Sequence, residues 1–165
     1  MTALDAIIAE LTPVIMTAFG LSAPTDPDKE NFILSIPAAR ANFPREVAPD
    51  GEYELPLAVL EIGDFTADTE YAVDDPNTKR FRVCVHYVAQ SNVCSQSQAN
   101  DMVFNLQYAV DNSDSFTTFE PIEPGQTQSD VDSPINAMLL AKSNENVISA
   151  CVLWEPGFQC EIIHT

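Results

Sequence analysis

Residues 80–89 alternate with a period of two: Phe81, Val83, Val85, Tyr87 and Ala89 fall on one side, and Arg80, Arg82, Cys84 and His86 on the other. Successive side chains of an extended chain point to opposite faces, so this pattern is that of a strand with an apolar face turned to a core. Residues 55–62 form a second strong strand pattern. A chain that commits two such segments to a sheet must cover the sheet with something, and the remaining periodicities show with what.

Two helices are predicted. Leu4, Ile7, Ile8, Leu11, Ile15, Ala18 and Phe19 share one helical stripe, with Thr2 and Asp5 as a capping-box-like start and Gly20 as a stop. Pro13 falls opposite that stripe, so the carbonyl it leaves unpaired near Ala9 can face water, and a bend is expected there. In the second helix, Ser95 and Gln98 make an S-x-x-Q capping box. Ala99, Met102, Val103, Leu106, Ala109 and Val110 then follow at helical spacing. Residues 147–154 and 158–164 read as two strands around Glu155, Pro156 and Gly157, a compact antiparallel hairpin. Residues 31–36 suit a short strand, and residues 135–141 an extra strand or a helical turn.

The sequence therefore predicts an α+β fold: an antiparallel sheet of about four strands with two helices packed on one face. All of residues 1–165 are assigned to one domain, a size at which a core can be built without metals or disulfides. Three long Pro- and Asp-rich stretches interrupt it. Residues 23–54 form an irregular excursion carrying Pro24, Pro27, Pro37, Pro44 and Pro49; residues 63–79 form a projecting acidic arm; and residues 113–134 form a long loop.

The charge is one-sided, with 25 acidic residues against 7 basic ones and a formal net charge of -18. Such a surface repels polyanions, which argues against nucleic-acid binding as the main activity. No apolar run approaches the ~20 residues that cross a bilayer, and the start of the chain lacks the basic residues of a secretory signal. No membrane association is expected. Four cysteines, Cys84, Cys94, Cys151 and Cys160, show no C-x-x-C spacing and read as reduced thiols, with Cys84 and Cys151 as small buried hydrophobes.

The chemistry of catalysis is not visible. There is no G-x-S-x-G turn, and His86 and His164 have no persuasive nucleophile beside them. Cys84 and His86 project from one strand face, but recognisable zinc-ligand spacing is missing and ordinary sheet positions account for both. Phosphate-binding glycine motifs are absent. Asp26, Asp28 and Glu30 imitate the opening of a calcium loop, yet Asn31 stands where glycine is needed and Pro37 where the bidentate glutamate is needed. A solvated acidic loop is the better account. No catalytic residue, metal or cofactor is expected.

The unusual feature is Lys79-Arg80-Phe81-Arg82, which gathers three of the seven basic residues directly after the arm that carries Asp64, Asp68, Glu70, Asp74 and Asp75. Local neutralisation is one reading, since exposed pairs are common and worth only about 0 to 1 kcal/mol each. The other is pairing between subunits, the arm of one copy lying across the basic strand of the next. Such a heterologous contact closes into a ring when its rotation divides a full turn.

In this layout the chain resembles the tail terminator (tail completion) proteins of long-tailed bacteriophages. The resemblance is carried by the opening helix from Leu4 to Phe19, the strand Leu55-Pro56-Leu57-Ala58-Val59-Leu60-Glu61 and the long arm. The strand from Arg80 to Tyr87, the helix from Gln96 to Val110 and the closing strand Ala150-Cys151-Val152-Leu153-Trp154 complete it. It implies a virion protein, assembled in the host cytoplasm, that forms a ring, usually a hexamer. The ring stops the tail tube at its head-proximal end and docks to a neck or stopper protein, while DNA passes through the lumen without specific binding. DNA carries one negative charge per ~1.7 Å of axis, so acidic walls would let it slide where basic ones would hold it. The resemblance places the acidic arm at the lumen or a subunit contact, and Lys79, Arg80 and Arg82 at the subunit interface. Other neck, adaptor or tube components are the neighbouring alternatives, and a small hydrolase, a metal-dependent enzyme or a monomeric peptide-binding adaptor the more distant ones.

Overall fold

The computed structural model describes residues 3–35, 53–64, 78–114, 119–121 and 147–161. In chain order these form α1 (Ala3–Ala18), β1 (Glu30–Ser35), β2 (Tyr53–Asp64), β3 (Thr78–Gln90), α2 (Gln96–Asp111), β4 (Phe119–Pro121) and β5 (Val147–Glu161). The five strands make one sheet in the order β1-β2-β3-β5-β4. The α+β class and the placement of both helices on one face agree with the sequence reading.

The helices pack as their stripes require. Ile7, Leu11, Ile15 and Phe19 from the first, and Ala99, Val103, Leu106 and Val110 from the second, join one core with Leu60, Val85 and Trp154 of the sheet. Pro13 lies inside α1, and both it and Ala9 are exposed, so the missing backbone donor is on the solvent side. Thr12 Oγ1 donates to the Ile8 carbonyl at 2.7 Å one turn earlier. The helix ends at Gly20, whose φ of 62° is the left-handed conformation that glycine adopts without a Cβ clash. Leu21 N–H donates to Met16 O at 2.9 Å and Gly20 N–H to Thr17 O at 3.1 Å, closing a Schellman stop. Thr2 lies outside the described residues.

The capping box of α2 is present in both directions: Gln98 N–H donates to Ser95 Oγ at 3.2 Å, and Ser95 N–H to Gln98 Oε1 at 2.8 Å. Gln96 Nε2 also donates to the Ser149 carbonyl at 2.9 Å, which ties the start of α2 to β5.

Beyond β4, which lies inside the predicted 113–134 loop yet pairs antiparallel with β5 as an edge strand, the sheet differs from the expected antiparallel one of about four strands in two respects. First, β1 lies inside the predicted 23–54 excursion and pairs parallel to β2, matching Phe32 with Ala58 and Leu34 with Leu60, so the sheet is mixed and gains an edge strand. A parallel neighbour needs a crossover of a dozen or more residues, and residues 36–52 supply that length. Second, residues 147–161 are one continuous strand and not a hairpin. β5 runs antiparallel to β3 from Gln90↔Val147 to Thr78↔Glu161, with its register shifted between Phe81↔Phe158 and Val83↔Trp154. Glu155, Pro156 and Gly157 fall in that irregularity. A proline and a glycine that look like a turn in sequence are thus accommodated as a bulge, where an unpaired backbone donor is tolerated.

The acidic loop 26–30 is held by its own turn chemistry: Asp28 N–H donates to Asp26 Oδ1 at 3.0 Å and Lys29 N–H to Asp26 O at 3.1 Å, after which Glu30 opens β1. Residues 65–77 of the arm, residues 115–118 and 122–146, which include the 135–141 segment, and His164 lie outside the described residues.

Candidate functional site

Strand alternation sends Ala58, Leu60 and Ile62 of β2 toward the helices and Leu57, Val59 and Glu61 away from them. The same rule sends Cys84, His86 and Val88 of β3, and Cys151 and Leu153 of β5, to that second face. It too is buried: Ile33, Tyr53, Leu57, Val59 and Val88 form one apolar cluster there, and Cys84, Cys151 and Leu153 another.

Between these clusters lies a polar patch built by cross-strand pairing. Glu61 is paired with Cys84 and Cys84 with Leu153; one row along, Val59 is paired with His86 and His86 with Cys151. Glu61 and His86 are only 4% and 2% exposed. His86 Nε2 is 3.4 Å from Cys84 Sγ and 3.5 Å from Glu61 Oε2. Donor atoms of Cys84, His86 and Cys151 all lie within 4.8 Å of one another.

The electrostatics follow from this crowding. Removal from water works against a charged His86, but Cys151 and Glu61 beside it outweigh that loss and raise its pKa to about 9. The neighbouring Cys151, then burial and the Glu61 charge, push the Cys84 thiol up, with Arg82 acting in the opposite sense. A thiol held protonated and buried is a poor nucleophile. Two sulfurs and an imidazole nitrogen facing one another are, however, a donor set for a thiophilic metal ion.

Comparison with protein-family models, curated proteins and solved structures finds no match for this chain.

The residues expected at a subunit interface are distributed as follows. Arg82 is half-buried on the second face, with Gly63 as its β2 partner in the ladder and its charge felt at Cys84. Lys79 and Arg80 stand in β3 opposite Cys160 and Gln159 of β5. Asp64 closes β2 opposite Phe81. The arm therefore leaves the sheet beside the segment in which the basic residues return. Asp68, Glu70, Asp74 and Asp75 lie outside the described residues.

The grouping of Cys151 and Glu61 with Cys84 and His86 is what the sequence reading missed. Cys84 and His86 share a strand face at spacing two, but Cys151 arrives from a strand whose register the sequence does not specify. The available signal was Glu61 itself, a lone carboxylate within the apolar run from Leu57 to Ile62.

A second feature of the surface concerns α2. Its outward side carries Phe104, 55% exposed, and Tyr108, 72% exposed, one turn apart, with Val93 also exposed just ahead of the helix. Among the described residues no helix is long and apolar enough to cross a membrane.

Proposed function

We propose that this chain is a structural subunit that assembles with copies of itself into a ring of the tail-terminator kind. In that role it caps the head-proximal end of a phage tail tube and meets a neck or stopper protein. The observation that carries assembly is the exposed pair Phe104 and Tyr108 on the outer side of α2. Aromatic residues are enriched at protein interfaces, and two placed one turn apart on a helix give a contact surface that water alone does not favour. The terminator reading is supported by the order of helix, strands, acidic arm, basic strand, helix and closing strand. It is also supported by the return of the chain through Lys79 and Arg80 next to the point where the arm departs at Asp64. A heterologous contact between arm and basic strand sets orientation, and the α2 aromatics add apolar area. The charge of -18 suits a lumen through which DNA slides.

Native mass spectrometry of the protein alone, and again with preassembled tail tubes, tests the proposal. A closed ring, hexameric on this reading and formed either free or on the tube, is the expected species. Combined reversal of Lys79, Arg80 and Arg82 to glutamate should abolish it, as should Phe104→Asp with Tyr108→Asp. A wild-type chain that stays monomeric and ignores the tube would refute the reading.

A further inference from the structure

We propose that Cys84, His86 and Cys151 form a buried structural site for one zinc-class divalent ion that joins β3 and β5, with Glu61 of β2 beside His86 as the nearest carboxylate. Hydrogen bonding accounts for only part of the observed spacing. His86 Nε2 carries at most one proton, yet it stands 3.4 Å from a sulfur and 3.5 Å from a carboxylate oxygen. The second distance lies beyond the usual 2.7 to 3.2 Å of an N–H···O bond.

Tetrahedral zinc accounts for it better. With Zn–S near 2.3 Å and Zn–N and Zn–O near 2.0 to 2.2 Å, neighbouring ligand atoms sit about 3.6 Å apart for sulfur and nitrogen, about 3.4 Å for nitrogen and oxygen, and about 3.8 Å for two sulfurs. The first two separations are met within a few tenths of an ångström. The two thiols and the imidazole lie inside 4.8 Å of one another, so a shift of about 1 Å or less brings these three donors to ligand spacing.

The donor types select the ion. Thiolate and imidazole together favour zinc over magnesium or calcium, which take oxygen ligands. Charge points the same way: two thiolates neutralise a divalent ion, and the Arg82 charge is felt at Cys84. Held by three buried donors inside the sheet, the ion would be structural, and the inference holds whether or not the chain forms rings.

The first test is elemental analysis of reduced wild-type protein from zinc-supplemented cells, paired with cobalt substitution. One zinc per chain is expected, as are a thiolate-to-cobalt charge-transfer band and the visible bands of a tetrahedral site. Zinc content should fall to background in the Cys84→Ser, Cys151→Ser double variant and remain at one per chain in Cys94→Ser, whose thiol lies on the helix side of the sheet. Because the double variant can fail to fold, the wild-type measurement decides. Reduced, folded protein that takes up neither zinc nor cobalt overturns the proposal, as does zinc-free protein whose Cys84 and Cys151 are joined by a disulfide.

Discussion

Glu61 and His86 face each other across β2 and β3 with 3.5 Å between carboxylate oxygen and ring nitrogen, both removed almost entirely from water. Breaking a buried pair of this kind by removing one partner costs about 3 to 5 kcal/mol. Glu61→Ala should lower stability by that amount, read as a fall in the urea midpoint followed by circular dichroism. An unchanged midpoint would mean that the two groups do not interact.

Trp154 is the single tryptophan, fully buried, with its ring 5.5 Å from that of Phe158 across the strand irregularity. Its fluorescence should be blue-shifted and resistant to acrylamide, and both properties should be lost in one cooperative step with denaturant. Phe158→Ala should destabilise by about 3 to 5 kcal/mol through lost burial and the cavity left behind. A red-shifted native spectrum would contradict the packing.

The reciprocal cap at the start of α2 gives a smaller, separable effect. Ser95→Ala removes the acceptor for Gln98 N–H and should cost about 1 kcal/mol, within a range of 0.5 to 2, whereas Ser95→Gly should cost a few tenths. Urea unfolding of the two variants distinguishes a cap from a merely exposed serine, for which both substitutions would be silent.

Glu54 provides a pH signature. Its carboxylate accepts from the Thr25 hydroxyl, from Thr25 N–H at 2.8 Å and from Asp26 N–H at 3.3 Å. These hydrogen bonds, the Thr25 hydroxyl first, hold its pKa below the ordinary 4.5. A depressed carboxylate stabilises the fold above its unfolded value, and that contribution disappears as pH falls through the lower folded value. The stability difference between wild type and Glu54→Gln should therefore be largest near neutral pH and shrink on acidification below 4.5. A difference that grows in acid would reverse the assignment.

Much of the fold was legible because its determinants are local. The stripe from Ile7 to Phe19, the Ser95 and Gln98 box and the alternation from Phe81 to Ala89 each encode their element within a few residues. What was not legible depends on partners distant in sequence. Residues 31–36 gave the strand but not its parallel alignment with Phe32 beside Ala58, which is fixed by the sheet rather than by the segment. Glu155, Pro156 and Gly157 have turn chemistry, yet continued pairing with β3 on both sides of them kept the chain extended. For the polar patch, the Cys84 and His86 half could be read from spacing alone. The Cys151 half required knowing that it stands opposite His86 and not opposite Cys84.

That cross-strand arrangement limits how β5 can lie on β3. A slide of two residues would keep every side chain on its present face and trade one aliphatic contact for another, which an all-valine surface would tolerate. Here the same slide would set His86 against Ser149 or Leu153 and carry Cys151 about 6.8 Å along the strand. The few polar groups in the middle of the sheet thus act as an alignment key, fixing one offset among several that hydrophobicity alone would leave nearly equivalent.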